Sequence, residues 1–310
     1  MNQEVDRIGM IYTALSYIFW GFLPIYWKWL DHVGAYEILA HRIIWSFVFM
    51  LGLLSLTKGF HKIKATMTYL VEKKSRLIAL ISASFLITIN WLLYIYAVNT
   101  EHIVQTSLGY YINPLVSVLL GIVFLKETLS KLEIVSLMLA MIGVLVMTIS
   151  YGHIPWLSLG LAFSFGIYGL LKKVVKVESS VGLTLETLIT LPIALVFVFW
   201  LSGQEMSSFM QVNPQTTILF IGSGVVTAVP LLCFAMGTQR IPLYLVGFLQ
   251  YIAPSLMLIL GVFLYGEPFT SIEQVAFTFI WGALALLTFS KMKKPKFKNK
   301  FKAKKQEVQV

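Results

Sequence analysis

Ten apolar stretches follow one another along this chain, each close to the roughly 17–25 residues that a helix needs to cross a hydrocarbon layer. They cover 8–28, 36–56, 77–98, 102–125, 132–150, 154–171, 181–201, 216–236, 241–265 and 271–290. Inside lipid each backbone N–H and C=O must be bonded within its own segment, so stretches of this length are helices. Composition agrees. Of the 310 residues, 58% are hydrophobic and 12% charged, half of the about 25% charged residues that coat a water-facing domain. The expected fold class is all-α integral membrane with ten transmembrane helices. The first stretch is too long for the apolar core of a signal peptide. The single cysteine, Cys233, excludes a disulfide framework and reads as a small packing residue in an apolar run.

The connections carry the orientation. The chain has 24 lysines and arginines. Arg42 lies inside the second stretch and Lys28 stands alone on one side. The remaining 22 fall on the other side, among them Lys172, Lys173 and Lys176 after the sixth stretch and nine lysines between Lys291 and Lys305. Positive charge collects on the cytoplasmic side of a membrane protein. Both termini are therefore expected in the cytoplasm, with the chain in the cell membrane, and this requires an even number of spans. The net charge of +10 comes largely from the 291–310 tail. That tail reads as a solvated charge run lying against anionic lipid headgroups, not as a nucleic-acid site.

A shift of 140 residues, with no gap, lays Tyr111-Ile112-Asn113-Pro114 on Tyr251-Ile252-Ala253-Pro254. It also lays Gly121 on Gly261, Glu127 on Glu267 and Glu133 on Glu273. Residues 1–150 and 151–290 thus read as two copies of five spans each. Five is odd, so the second copy enters the bilayer from the opposite face, an inverted repeat of the kind found in secondary transporters. Pro114 and Pro254 each remove a helix hydrogen bond at equivalent places. Matched interruptions of this kind point to a central site, with a packing kink as the alternative.

Few ionisable groups lie within the spans, where they are costly and face a cavity or one another. Glu37, His41 and Arg42 cluster on the second span. Arg42 either pairs with Glu37 or receives an anionic group of a solute. Glu186 on the seventh span is a candidate proton-coupling carboxylate or a packing and capping group. Among uncharged polar residues, Asn90, Gln105, Ser107, Asn113 and Gln250 are candidates for solute contact, with helix-to-helix bonding the default for buried amides. Trp20 and Tyr168 lie near them. Tyr111 and Tyr251 precede the repeat prolines and are candidate walls of an amphipathic or aromatic pocket. There is no G-x-x-x-x-G-K-[ST] stretch, no G-x-S-x-G and no metal-ligand spacing. An enzyme is a poor reading on these grounds. No metal or organic cofactor is expected, and a proton is the one coupling species the spans suggest.

The stretches YIFWGFLPIYWK, EILAHRIIWSF, NWLLYIYAVN, SLGYYINPLVSVLLGIVFLKE, LGLAFSFGIYGLLKK, VPLLCF and GFLQYIAPSLMLILGVFLYGE together resemble the RarD branch of the EamA family, in the drug/metabolite transporter superfamily. The resemblance runs to about Ser290. It implies an inverted pair of EamA-like repeats, a central cavity and alternating access for small organic solutes. The branch often carries the label chloramphenicol-resistance permease. The expectation is an exporter of small metabolites or drugs, its site formed by spans one, three, four, six, eight and nine. A non-transporting polytopic scaffold or sensor is the alternative. Monomer and homodimer both stay open.

Overall fold

The computed structural model describes residues 6–99, 103–152, 154–266 and 269–292. His102, His153, Glu267 and the tail beyond Met292 lie outside the described residues, as do the side chains of Gln105, Ser107 and Lys291. The helices are α1 (Arg7–Lys28), α2 (Ala35–Leu56), α3 (Phe60–Glu72), α4 (Lys74–Asn99), α5 (Ile103–Leu125), α6 (Lys131–Tyr151), α7 (Trp156–Val175), α8 (Ser179–Gly203), α9 (Pro214–Arg240), α10 (Leu243–Gln250), α11 (Ile252–Leu264) and α12 (Ser271–Met292). Ten segments are long and apolar enough to span a bilayer, with α10 and α11 together forming the ninth. Their bounds agree with the apolar stretches to within a few residues. The sixth and eighth run furthest past their stretches: the sixth continues through Lys172 and Lys173 to Val175, and the eighth to Arg240.

Helix starts are set by local chemistry. The Asp6 carboxylate accepts from the N–H groups of Ile8 and Gly9, at 2.9 and 3.2 Å, and caps α1. Glu133 accepts from the Ser130 N–H at 2.6 Å before α6, and Glu273 accepts from the Thr270 N–H at 2.8 Å before α12. The same carboxylate therefore begins the last span of each repeat, because it satisfies N–H groups that have no partner inside the helix.

Packing follows the repeat. Span one packs on spans eight and nine, and span six packs on spans three and four. Span two packs on seven and eight, and span seven on two and three. Span five packs on ten, and four on nine. Exchanging each span with the one five places away maps this pattern onto itself. The two repeats are interleaved, each span finding its main neighbours in the other copy. Small residues permit the closest approaches, as expected where helices must pack without a hydrophobic drive. A Cβ at Gly224 of α9 would overlap the Trp45 carbonyl of α2, and one at Gly247 of α10 would fall 2.7 Å from the Pro114 carbonyl oxygen.

Two features depart from the sequence reading. The connection after the second span holds α3, a thirteen-residue helix too short to span. Its Leu70 is buried with Leu54, Val175 and Val181, and its Lys62 pairs with Glu178 at 3.0 Å. The repeat prolines also act differently. Pro114 stands inside a continuous α5. Pro254 is the third residue of α11, just beyond a break at Tyr251. In a first turn the missing proline N–H leaves no hydrogen bond unmade, so the ninth span separates into two helices where the fourth does not.

Candidate functional site

Within the bundle, Lys172 Nζ of α7 lies 2.7 Å from Glu186 Oε1 of α8. The Tyr168 hydroxyl donates to the other carboxylate oxygen at 3.3 Å. All three side chains are buried. Lys172 is therefore not a connection residue, as hydropathy and charge suggest, but one half of an intramembrane ion pair. Lys173 is drawn inward too, donating to the Thr238 carbonyl at 3.1 Å and to the Ile241 carbonyl at the end of α9. Only residues 176–178 separate α7 from α8, a connection short enough for the long lysine stem to reach α8.

Glu186 lines two cavities at once. One holds Lys172, Gly182 and Gln239 on the side of the chain ends. The other lies deeper, among Ser46, Trp91, Tyr168, Thr187 and Thr190. The deeper cavity draws on spans two, three, six, seven and eight, so spans two and seven take part where the sequence pointed to one, four and nine. Tyr168 also stacks on Phe234, with ring centroids 5.8 Å apart. Phe165, Trp20 and Tyr17 extend this aromatic layer across α7, α9 and α1. Trp20 and Tyr168 thus come together, as members of one packed layer.

Arg42 does not pair with Glu37. Its Nε donates to the Thr227 hydroxyl at 3.1 Å, and its guanidinium lies over the rings of Trp27 and Trp91, 4.6 and 4.4 Å from their centroids. Those partners come from α9, α1 and α4. Arg42 makes no ion pair among the described residues. Glu37 turns the other way and accepts from the Ser207 hydroxyl at 2.9 Å and the Ser208 N–H at 2.7 Å, holding the α8–α9 connection. His41 stacks on Phe209 and packs at a tilt against Phe220. One helix turn therefore splits the expected trio: residues 37 and 41 share a face, while residue 42 points about 100° away from 41.

The amides serve mainly as struts. Asn90 donates to the Leu161 carbonyl and to the Ser164 hydroxyl, both at 2.9 Å, tying α4 to α7. Gln250 accepts from Tyr17 and Ser117, each at 3.4 Å, and so joins α10 to α1 and α5. Asn113 Oδ1 and the Tyr251 hydroxyl are buried without a hydrogen-bond partner among the described residues. Tyr111 and Tyr251 pack with Ala140, Val144 and Phe277 against the α6–α12 pair, and neither lines the two cavities. The sequence does not single out Trp27, Trp91 and Thr227 as partners of Arg42, because they lie 15, 49 and 185 positions away. Glu127 is a further structural anchor: its carboxylate receives the N–H groups of Leu243 and Tyr244, at 2.7 and 2.8 Å, at the start of α10. Its match to Glu267 was the visible sign. Among the described residues no group of three His, Cys, Asp or Glu side chains is placed to share a metal ion.

Ten spans in two interleaved five-helix repeats define a multi-pass membrane protein of the drug/metabolite transporter fold. The chain belongs to the EamA-like transporter family, whose model matches residues 7–149 and 154–300, and within it to the RarD branch. It is 50% identical over 297 residues to the uncharacterized transporter YojE of Bacillus subtilis, covering 94% of this chain and 97% of that one. It is 42% identical over 286 residues to the protein RarD of Salmonella typhimurium, covering 92% and 96%. A crystal structure of a protein 15% identical superposes with a TM-score of 0.70 over 92% of this chain and 99% of that one, a likeness of fold.

Proposed function

We propose that this chain is a secondary carrier that moves small organic solutes outward across the cytoplasmic membrane by alternating access, with Glu186 as the proton-coupling carboxylate. The observation that carries this reading is the position of the Lys172–Glu186 contact between two cavities. A buried ion pair holds only while both partners are charged. When Glu186 takes a proton, its attraction for Lys172 is lost and the lysine is free to turn toward the cavity on the side of the chain ends. The contact that separates the cavities then opens. Spans three, four and six move as one body and spans one, eight and nine as another, since these are sets whose members pack closely together. The repeats 1–150 and 151–290 supply both bodies in mirrored fashion. With both termini in the cytoplasm, as the lysine and arginine distribution favours, the Lys172 cavity faces inward.

The test is flux in proteoliposomes under an imposed pH gradient, with a panel of amino acids, organic acids and neutral drugs including chloramphenicol. Saturable flux supports a carrier, and its absence across the panel removes that reading. Glu186→Gln should lose gradient-driven flux and keep exchange. Unchanged driven flux in that variant would take Glu186 out of the mechanism while leaving the carrier intact.

A further inference from the structure

We propose that Arg42 is the docking point for the carboxylate of an organic acid whose apolar body enters the cavity beyond Trp91. This deepens the carrier reading by naming a substrate class, and it rests on that reading for its consequence in transport.

A guanidinium inside a membrane protein is always charged, and an uncompensated charge there is costly. Lys172, buried among the same spans, has its carboxylate at 2.7 Å. Arg42 has no such partner among the described residues. Glu37 stands on the same helix, yet its carboxylate is committed to Ser207 and Ser208. What surrounds Arg42 instead is a set of groups that tolerate a cation without neutralising it. Two indoles present their faces and the Thr227 hydroxyl accepts a hydrogen bond from the Nε–H. Thr227 thereby fixes one edge of the guanidinium, and among the described residues the two terminal nitrogens make no ion pair. Those nitrogens form the fork that receives a carboxylate through two parallel hydrogen bonds.

The neighbourhood also has a direction. Trp91 lies under the Arg42 guanidinium and also lines the deeper cavity. Beyond it, Ile43, Ile87, Leu183 and Leu231 make much of the cavity wall apolar. A ligand held at Arg42 by its acid group would lay its hydrocarbon or aromatic portion along Trp91 and into that wall.

The experiment compares three compounds with one ring and different head groups: phenylacetate, phenylacetamide and phenethylamine. Each is titrated into the purified full-length protein by calorimetry. Phenylacetate should bind at least about tenfold more tightly than the amide or the amine, the effect of one charge-assisted contact. Arg42→Lys keeps the charge and loses the fork, and should weaken phenylacetate about tenfold while leaving the amide unchanged. Arg42→Gln should abolish the preference for the acid; if that variant fails to fold, Arg42→Lys carries the comparison. Equal binding of acid and amide, no binding of the acid, or a native preference surviving in both variants overturns the proposal. Acid binding that depends on Arg42, with no saturable flux of any solute, upholds the site and removes the carrier reading. Saturable flux of neutral solutes with no preference for the acid does the reverse.

Discussion

Lys172 Nζ and Glu186 Oε1 stand 2.7 Å apart with side-chain exposures of 5% and 3%. A pair so enclosed is sensitive to the loss of either member, because the survivor is left as an unpaired charge in a poorly polarisable interior. Lys172→Met or Glu186→Leu alone should therefore destabilise the fold by about 3–5 kcal/mol, while the double variant recovers most of that loss. Thermal unfolding in detergent checks it. A double variant no more stable than the weaker single would show that the contact contributes little to the fold.

Glu127 bridges the end of the first repeat's fourth span to the start of α10. Replacing it with Ala leaves two N–H groups, those of Leu243 and Tyr244, without their acceptor. A loss of about 1–3 kcal/mol is expected, with faster amide exchange confined to the first turn of α10. Exchange that rises evenly along all of α10 would show that the cap is not what holds this end.

Asn90→Leu should remove the two bonds to Leu161 and Ser164. Interhelical hydrogen bonds in membranes are worth about 0.6 kcal/mol on average and about 1.7 at most, so a stability loss of roughly 1 kcal/mol is expected. A loss above about 3 kcal/mol would point to a larger network than these two contacts.

Two glycines should respond with opposite sign. At Gly224 a methyl group meets the Trp45 backbone, and Gly224→Ala should cost about 1–3 kcal/mol by forcing α2 and α9 apart. At Gly52 no neighbouring atom of the described residues lies within 4 Å of the added carbon, and Gly52→Ala should stabilise α2 by up to about 1 kcal/mol through its lower chain entropy when unfolded. Equal effects at the two sites would contradict the close packing of α2 on α9.

Acid should act on the start of α1. The N–H of Gly9 foremost, with Arg240 alongside, holds the Asp6 carboxyl below its ordinary value of 3.8. Because the folded state favours the ionised form, this contribution is present above pH 3.8 and fades as the pH falls through the lowered folded value. Asp6→Asn keeps a cap but loses the charge. Unfolding midpoints measured down to about pH 3 should fall more steeply for the native protein than for that variant. Parallel slopes would show that Asp6 does not titrate with folding.

Tyr111 and Tyr251 show how far a repeat can be read and where reading stops. Their matched positions before Pro114 and Pro254 were visible as letters, and so were the matched carboxylates Glu133 and Glu273, which do begin equivalent helices. What each tyrosine touches was not visible. Both turn toward the α6–α12 pair, while Tyr168, which has no such match, reaches Glu186. Lys172 looked like one more basic residue in a connection because hydropathy ends a span at a charge. The structure carries the helix past it, since the charge finds its partner on the next helix.

The spans, their number and their pairing into repeats were determined by the sequence by itself. Lipid forces every backbone group to be satisfied within its own helix, and that condition is local, so it leaves a local record in hydropathy. The tertiary structure alone decided that Arg42 stands among Trp27, Trp91 and Thr227 and not beside Glu37, that the ninth span breaks at Tyr251, and that Glu186 is held by Lys172. These depend on which faces of separate helices meet. Such contacts join residues from 14 to 185 positions apart, and no local pattern in the chain records them.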